Sequence, residues 1–127
     1  MASVIRLDTH VVAWLYAGEV DRLSDNARRS IDREVLAISP LVQLELTFLH
    51  EIGRLRVDGA TIVDDLRGRI GLAVSDVPLV ASVAAAEPLG WTRDPFDRLI
   101  VADALAAGSP LLTRDEVIRA NIATATW

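Results

Sequence analysis

Short apolar runs alternate with amphipathic stretches along this chain, and glycine, proline or polar residues separate them. Continuous apolar runs are typical of buried strands, whereas apolar residues three and four apart indicate helices. The pattern predicts strands at 4–7, 35–38, 70–74, 111–113 and 122–126. It predicts helices at 9–17, 25–33, 40–52, 60–67, 78–87 and 94–107, and a last turn or helix from 115.

Residues that begin and end helices support these bounds. Ser24 and Ser39 stand where a side chain can accept a hydrogen bond from the first free backbone N–H groups of a helix. Gly108 stands at a predicted helix end, where a left-handed backbone is common. The dipeptide Asp58-Gly59 is interpreted as a break in the chain, followed by the helix at 60–67.

Strands that are separated by helices and lack hairpin turns form parallel sheets covered by helices. The sequence therefore predicts an α/β fold with a central parallel sheet and helices on both faces. No repeat, linker or low-complexity tract divides the chain, so we expect a single domain over 1–127. Open parallel sheets bind ligands beyond the carboxyl ends of their strands, which directs attention to the residues that follow each strand.

The composition suits a cytoplasmic protein. The 127 residues are 51% hydrophobic, enough for a packed core, and the absence of cysteine excludes disulfides and thiolate metal sites. No uncharged run approaches the roughly 18 residues that a membrane-spanning helix needs, and early charges argue against a signal peptide. We expect no membrane partner. The net charge of −5, with arginine as the only basic residue type, leaves a nucleic-acid partner open.

Acidic residues follow the predicted strands. Asp8 ends the first strand, and Asp115 comes just after the fourth. Asp94 and Asp97 open the helix before that fourth strand, and Glu45 lies in the second turn of the helix after the second strand. Because the carboxyl ends of parallel strands meet at one edge of a sheet, we expect these acids to converge there.

Glu45 is the most informative of these acids by its position. It shares a predicted helical face with Leu41, Phe48 and Ile52, so a carboxylate interrupts an apolar stripe. Ionisation is costly in such surroundings, and Asp97 is placed in a similar way on its own helix. Buried acids need partners, and the chain has no lysine to supply one.

The size of the repulsion indicates which partner is needed. Two carboxylates ~6 Å apart repel by about 3 kcal/mol at an effective dielectric of ~20, so four together would oppose a sizeable share of a domain's stability. A divalent cation would relieve that repulsion. Mg²⁺ prefers oxygen ligands and keeps several waters, and two such ions can activate a water for phosphodiester hydrolysis.

Most of these acids also have a purely structural interpretation. Asp94 followed by proline is typical of a helix start, and Asp8 and Asp115 could each cap the helix that follows. Glu45 has no helix start to cap, and an arginine salt bridge is the alternative for it. Taken singly, the residues leave both interpretations open, whereas their joint pattern favours a metal site.

Four segments carry a resemblance to a known family. They are LDTHVVAWL at 7–15, SPLVQLEL at 39–46, RDPFDRLIVADAL at 93–105 and LLTRDEVI at 111–118. In this order they resemble the PIN-domain nucleases, especially the VapC-type toxins, and RDPFDRLI followed by LLTRD is the most specific part. The resemblance spans most of the chain and implies a PIN-like three-layer sandwich, which agrees with the fold predicted from the pattern.

The resemblance implies a role for each acid. Asp8 and Asp97 would be the principal Mg²⁺ or Mn²⁺ ligands of the catalytic site. Glu45 and Asp115 would complete the acidic pocket, binding metal directly or through water and positioning the attacking water. Asp94 would support this pocket.

Several residues near the acids in the sequence each have two interpretations. Thr9 and Thr113 would either donate hydroxyl groups to the pocket or its phosphate, or be structural. Three arginines flank the acids and either bind RNA phosphates or form salt bridges with those acids, namely Arg93, Arg98 and Arg114. Packing is the favoured interpretation of His10, His50, Trp14 and Trp91, with a dimer face as a second one for Trp14 and base stacking for Trp91.

The resemblance also implies a function and partners. It implies an endoribonuclease that cuts tRNA, ribosomal RNA or mRNA and so inhibits translation, and a homodimer that a VapB-type antitoxin holds inactive. A non-catalytic PIN scaffold that binds protein or RNA is the alternative, because intact acids do not prove turnover. A phosphoacceptor receiver domain and a haloacid-dehalogenase-like phosphatase are disfavoured, because both require a lysine that this chain lacks.

Overall fold

The computed structural model describes residues 3–127, in which strands and helices alternate largely as predicted. The strands are β1 (Val4–Leu7), β2 (Val35–Ile38), β3 (Ala73–Val74), β4 (Leu111–Leu112) and β5 (Ala125–Thr126). The helices are α1 (Thr9–Ala17), α2 (Asp25–Arg33), α3 (Pro40–Glu51), α4 (Gly59–Ile70), α5 (Leu79–Ala86), α6 (Pro95–Ala107) and α7 (Glu116–Asn121). A short 3-10 turn at Val20–Arg22 was not predicted.

The five strands form one parallel sheet in the order β3-β2-β1-β4-β5. Helices cover both faces, which confirms the predicted α/β sandwich. From β1 the chain moves outward through β2 to β3, then crosses back to β4 and β5 on the other side of β1. The direction of winding therefore changes between β1 and β4, and such a switch point opens a crevice at the carboxyl ends of its two strands.

Local capping explains why most helix bounds were predictable. The Ser24 hydroxyl accepts a hydrogen bond from the first turn of α2, and the Ser39 hydroxyl does the same for α3. Helices α1 and α6 end at Gly18 and Gly108, whose φ angles of 73° and 62° lie in the left-handed region. These caps and glycine ends depend on a few neighbouring residues, so they can be recognised from the sequence alone.

The prediction for α4 was wrong at both ends. Asp58 does not break the chain but caps the helix, since its Oδ1 accepts a hydrogen bond of 2.8 Å from the backbone N–H of Thr61. Gly59 is the first helical residue, and a Cβ atom there would lie 2.1 Å from the Gln43 carbonyl oxygen of α3. The helix also continues to Ile70, so the strand predicted at 70–74 shortens to β3.

The core lies between the sheet and the apolar faces of the helices. Its largest fully buried side chains come from β1, β2 and β4 and from the helices that pack on them, and include Leu7, Ile38, Leu46, Ile100 and Leu112. Within residues 3–127, no helix combines the length and the apolar character that a membrane span would require.

A buried ion pair crosses this core. The Nε of Arg6 on β1 donates a 2.9 Å hydrogen bond to Oδ2 of Asp103 on α6, and Asp103 is only 2% exposed. The Ser75 hydroxyl donates to the other carboxylate oxygen of Asp103 and accepts from Arg6. Removing one partner of such a pair leaves a buried charge uncompensated, so this network fixes α6 against β1.

Candidate active site

A cleft opens at the carboxyl ends of β1 and β4, at the switch point of the sheet. Leu7 of β1 pairs with Leu112 of β4, so the next residues along, Asp8 and Thr113, are also neighbours. The Thr113 hydroxyl donates a 2.6 Å hydrogen bond to Oδ2 of Asp8. Parallel pairing of two strands thus brings together residues that are far apart in the sequence.

Asp8 is the most deeply buried acid of the cleft. Its Oδ1 accepts a 2.8 Å hydrogen bond from the backbone N–H of Thr9, so it also caps α1. Burial raises the pKa of the Asp8 carboxyl above its ordinary value of 3.8, while the hydrogen bonds from Thr113 and Thr9 act in the opposite direction. The two hydrogen-bond donors therefore fix the orientation of the Asp8 carboxylate, whose negative charge is unfavourable in this buried position.

Glu45 lies opposite, in the second turn of α3. Its Oε1 accepts a hydrogen bond from the hydroxyl of the buried Thr9. Burial raises the pKa of Glu45, and the nearby Asp8 and Asp94 raise it further. Each threonine that the sequence singled out thus donates a hydroxyl to one acid of the pocket.

The predicted reason for the burial of Glu45 was wrong. Phe48 and Ile52, which share its helical face, are 44% and 50% exposed, so that face is not a core stripe. Helix α3 instead packs through Val42 and Leu46, which are fully buried. Glu45 is half-buried because it lines the cleft.

Asp94 and Asp97 enter the cleft from the start of α6. Asp94 is exposed and caps the helix, because its Oδ1 accepts hydrogen bonds from the backbone N–H groups of Phe96 and Asp97. Burial, followed by the charges of Asp94, Asp8, Glu45 and Asp115 in that order, raises the pKa of Asp97 to about 7. The raised pKa of Asp97 thus reflects its burial together with the four other acids that lie near its carboxyl group.

Asp115 completes the group from the segment after β4. Its Oδ1 accepts hydrogen bonds of 2.8 and 3.0 Å from the N–H groups of Val117 and Ile118, which makes it the cap of α7. Its own backbone N–H donates to the Thr113 hydroxyl at 3.1 Å. For Asp8, Asp94 and Asp115, capping and a place in the cleft are therefore compatible.

The cleft that these residues form has a volume of about 490 Å³. Six acids line it, together with one arginine, one histidine and two apolar side chains; the residues are Asp8, His10, Val11, Trp14, Glu45, Asp94, Asp97, Arg114, Asp115 and Glu116. In the described part of the chain, every arginine–carboxylate ion pair lies elsewhere, at Arg6–Asp103, Arg22–Glu19 and Arg69–Asp65. The salt-bridge alternative for Glu45 and for the flanking arginines is thus contradicted.

The three arginines predicted beside the acids have different surroundings. Arg93 donates to the carbonyl oxygen of Gly90, and Arg98 donates to the carbonyl oxygens at the end of α5. Neither residue is among those that line the cleft, so the structure does not bring them to the acids. Arg114 does line it, and its guanidinium lies over the ring of Trp14.

Sequence reasoning assigned two cleft residues to packing. His10 is exposed and lines the cleft, so it is not a core residue, although its ring lies 6.1 Å from that of Trp14. Trp14 does pack against the core as predicted, but its other side faces the cleft. Glu116 was missed, although its place directly after Asp115 was a usable signal. His50 and Trp91 lie outside the cleft, where His50 bonds to the Leu55 carbonyl oxygen and Trp91 packs against the core.

The carboxylate oxygens of the cleft are the ligand type that a hard divalent cation prefers. Within residues 3–127, no three acidic or histidine side chains already lie close enough together to enclose a metal ion. Mg²⁺ and Mn²⁺ do not need such a cage, because Mg²⁺ in particular keeps several waters and binds through one or two carboxylates. Asp8 and Asp97, whose pKa values are both raised by burial, are the residues that would hold such an ion.

Comparison with known proteins identifies the family. The model of the PIN domain family matches residues 5–121. The chain belongs to the PIN domain family. It is 32% identical over 122 residues to Ribonuclease VapC22 of Mycobacterium tuberculosis, a match that covers 94% of this chain and 92% of that protein. The predicted resemblance to VapC-type PIN proteins is thereby confirmed.

Solved structures agree on the fold of this PIN domain. VapBC2 from Rickettsia felis, determined bound to a DNA fragment from its promoter, matches with a TM-score of 0.68 and 18% identity over 96% of both chains. DNA-bound VapBC from Salmonella typhimurium matches with a TM-score of 0.62 and 17% identity over 94% of this chain and 92% of that one. At these identities the likeness speaks for the fold alone.

The raised pKa of Asp97 predicts how stability depends on pH when no metal is bound. Folded Asp97 keeps its proton up to about pH 7, whereas the unfolded chain loses it near 3.8. The folded state therefore binds more protons between these values, and the free energy of unfolding falls as pH rises through that window. In urea unfolding with a chelator, Asp97→Asn should stabilise the protein by about 1–2 kcal/mol at pH 8, after allowance for solvent screening, and by little near pH 4.

The matched control is Asp64→Asn, since Asp64 is exposed on α4 and does not line the cleft. This variant should follow the wild-type curve at every pH. Equal stability of Asp97→Asn and wild type at pH 8 would show that the acids do not strain the metal-free fold.

Proposed function

We propose that this chain is a metal-dependent endoribonuclease, the toxin of a VapBC-type toxin–antitoxin pair, which hydrolyses phosphodiester bonds of RNA in its acidic cleft. The observation that carries the proposal is the convergence of Asp8, Glu45, Asp97 and Asp115 from four separate segments, where none of them forms an ion pair with an arginine among residues 3–127. The relative named Ribonuclease VapC22 supports RNA as the substrate. The chain is proposed to act as a single domain in the cytoplasm.

Each acid has a distinct part in the proposed reaction. Asp8 and Asp97 would hold Mg²⁺ or Mn²⁺, while Glu45 and Asp115 would bind the ion directly or through water and would position the attacking water. A bound divalent cation supplies positive charge that favours hydroxide at neutral pH and stabilises the charge developing on the phosphate. Asp94 raises the pKa of Asp97, so it tunes how readily this acid gives up its proton to bind metal.

Two threonines keep the acids in position. The Thr113 hydroxyl donates to Asp8, and the Thr9 hydroxyl donates to Glu45, at 2.6 and 2.5 Å. Each hydrogen bond uses one carboxylate oxygen or lone pair and leaves others for metal or water. Because Thr9 and Thr113 are both fully buried, they hold their partners more firmly than solvent could.

The proposed antitoxin is a VapB-type protein. The solved structures with the same fold are VapBC complexes, which supports a partner of this kind. An antitoxin segment lying across the cleft would have to meet its acids with positive charge, because six carboxylates line it.

A homodimer is the proposed oligomeric state. Leu44, Phe48 and Ile52 form an exposed apolar stripe on α3, since they are four residues apart along one face. A second exposed stripe on α5 contains Val80, which is 78% exposed, with Leu79 and Val83 beside it. Helix α6 contacts both helices, and two exposed apolar stripes of this kind suit a second copy of the chain.

Metal-dependent cleavage of RNA tests the proposed activity. Purified antitoxin-free protein should cut bacterial RNA at discrete positions with Mg²⁺ or Mn²⁺ and should stop when a chelator is added. Asp97→Asn should lower the cleavage rate by about 100-fold or more, because it removes a negative ligand at the reacting centre. The control Asp64→Asn should cleave at the wild-type rate. Folded wild-type protein that cuts no RNA with either metal would favour the non-catalytic scaffold.

Sedimentation velocity tests the proposed dimer. The wild-type protein should sediment with the mass of two chains, and Val80→Asp should shift it toward one, because a charge would be buried at the interface. Val117→Asp is the matched control, since Val117 is 57% exposed on α7, outside both stripes, and should leave the dimer intact. A wild-type monomer at micromolar concentrations would contradict the dimer.

A further inference from the structure

The acidic cleft continues beyond its carboxylates. His10 and Trp14 on α1 line it, and both also line a second hollow of about 310 Å³ that contains Arg22 and Arg54. The two hollows therefore adjoin at His10 and Trp14, and together they are called the groove. The lining of the first hollow is mainly acidic, whereas that of the second is mainly apolar, with two arginines and one glutamate.

Trp14 lies at the boundary between the acidic hollow and the second hollow, and two arginines lie over its indole ring. The Cζ atoms of Arg22 and Arg114 lie 5.8 and 5.9 Å from the ring centroid, within the range of a cation–π interaction. Two more rings pack around it, those of His10 at 6.1 Å and Trp127 at 6.0 Å. The indole ring thus contacts two guanidinium groups and helps to fix the position of each.

Both guanidiniums remain able to bind an anion. Arg22 forms a 2.7 Å ion pair with Glu19, but both side chains are about half exposed, and exposed pairs of this kind are weak. Arg114 has no carboxylate partner among residues 3–127. The guanidinium of Arg98, by contrast, already donates hydrogen bonds to backbone carbonyl oxygens, so fewer of its N–H groups are available to a ligand.

We propose that Arg22 and Arg114, each held against the Trp14 ring, form a subsite for backbone phosphates of the RNA strand on either side of Trp14, next to the phosphate cut at the acids; this rests on the proposed function. Guanidiniums bind phosphate oxygens through paired N–H groups. Six carboxylates repel a polyanion, so a chain with a net charge of −5 needs local positive charge beside them to hold RNA. Trp14 is a positioning residue, because the arginines over its ring occupy the place where a base would stack.

Salt-dependent RNA binding tests the subsite. Anisotropy of a labelled single-stranded RNA is measured in an Asp97→Asn background, so that cleavage does not interfere, across a range of salt concentrations. Arg22→Gln and Arg114→Gln should each weaken binding by ~3- to 10-fold and lower the slope of log K against log salt by about 0.7, the value for one lost phosphate contact on a single strand. Arg67→Gln, an exposed arginine on α4 outside the groove, should change neither quantity.

Two further variants separate positioning from packing. Trp14→Leu removes the aromatic ring and should weaken binding and lower the slope, whereas Trp14→Phe keeps an aromatic ring and should restore most of both. Glu19→Gln frees Arg22 and should tighten binding, but only while Arg22 is present. Melting temperatures confirm that each variant is folded. A Trp14→Leu protein that folds and binds RNA with the wild-type slope overturns the role of Trp14.

The results also separate this subsite from the proposed activity. If wild-type protein cleaves RNA but the arginine variants leave the salt slope and the KM unchanged, the subsite is overturned and the nuclease stands. If the arginine variants lower the slope although no RNA is cut, the subsite stands and the proposed catalysis fails. Where cleavage is seen, the arginine variants in the otherwise wild-type protein should raise KM several-fold with little change in kcat, because they act on binding.

Discussion

Repulsion among carboxylates is the physical constraint on which the arrangement of this cleft depends. A parallel sheet that switches direction between β1 and β4 brings Asp8 and Asp115 to the same edge, and α3 and α6 add Glu45 and Asp97. The pKa of Asp97, which is raised to about 7 by burial and then by the neighbouring acids, expresses the cost of that arrangement. A fold selected for stability alone would not bring these charges together. Their repulsion therefore indicates a ligand whose binding offsets it.

The chain tolerates this repulsion by giving four of the acids hydrogen-bond donors of their own, namely Asp8, Glu45, Asp94 and Asp115. Asp8, Asp94 and Asp115 each accept hydrogen bonds from the N–H groups of the helix that follows, whose N-terminal dipole also favours a negative charge. Thr9 adds a hydroxyl donor to Glu45, and Thr113 adds one to Asp8. The same hydrogen bonds that begin the helices therefore orient the acids, so that helix formation and the assembly of the site depend on the same contacts.

The parts of the fold that were predictable are those that local contacts determine. Caps and glycine ends gave the bounds of α1, α2, α3 and α6, and acids placed after strands gave the cleft. Contacts between distant segments were not predictable. The tight approach of α3 that requires Gly59, the buried partner of Arg6 on α6, and the two arginines over Trp14 all depend on how the elements pack. The face of α3 that carries Glu45 was misjudged for the same reason.

Direct titration of the protein with Mn²⁺ tests the central claim, that the acids are gathered to hold a divalent cation. The pKa of Asp97 predicts saturable binding at pH 8 that weakens steeply below about pH 7, with release of a proton as metal binds at neutral pH. Calorimetry in two buffers of different ionisation enthalpy measures both the affinity and the proton. The absence of saturable binding at pH 8, or binding that Asp97→Asn leaves unchanged, would contradict this account of the cleft.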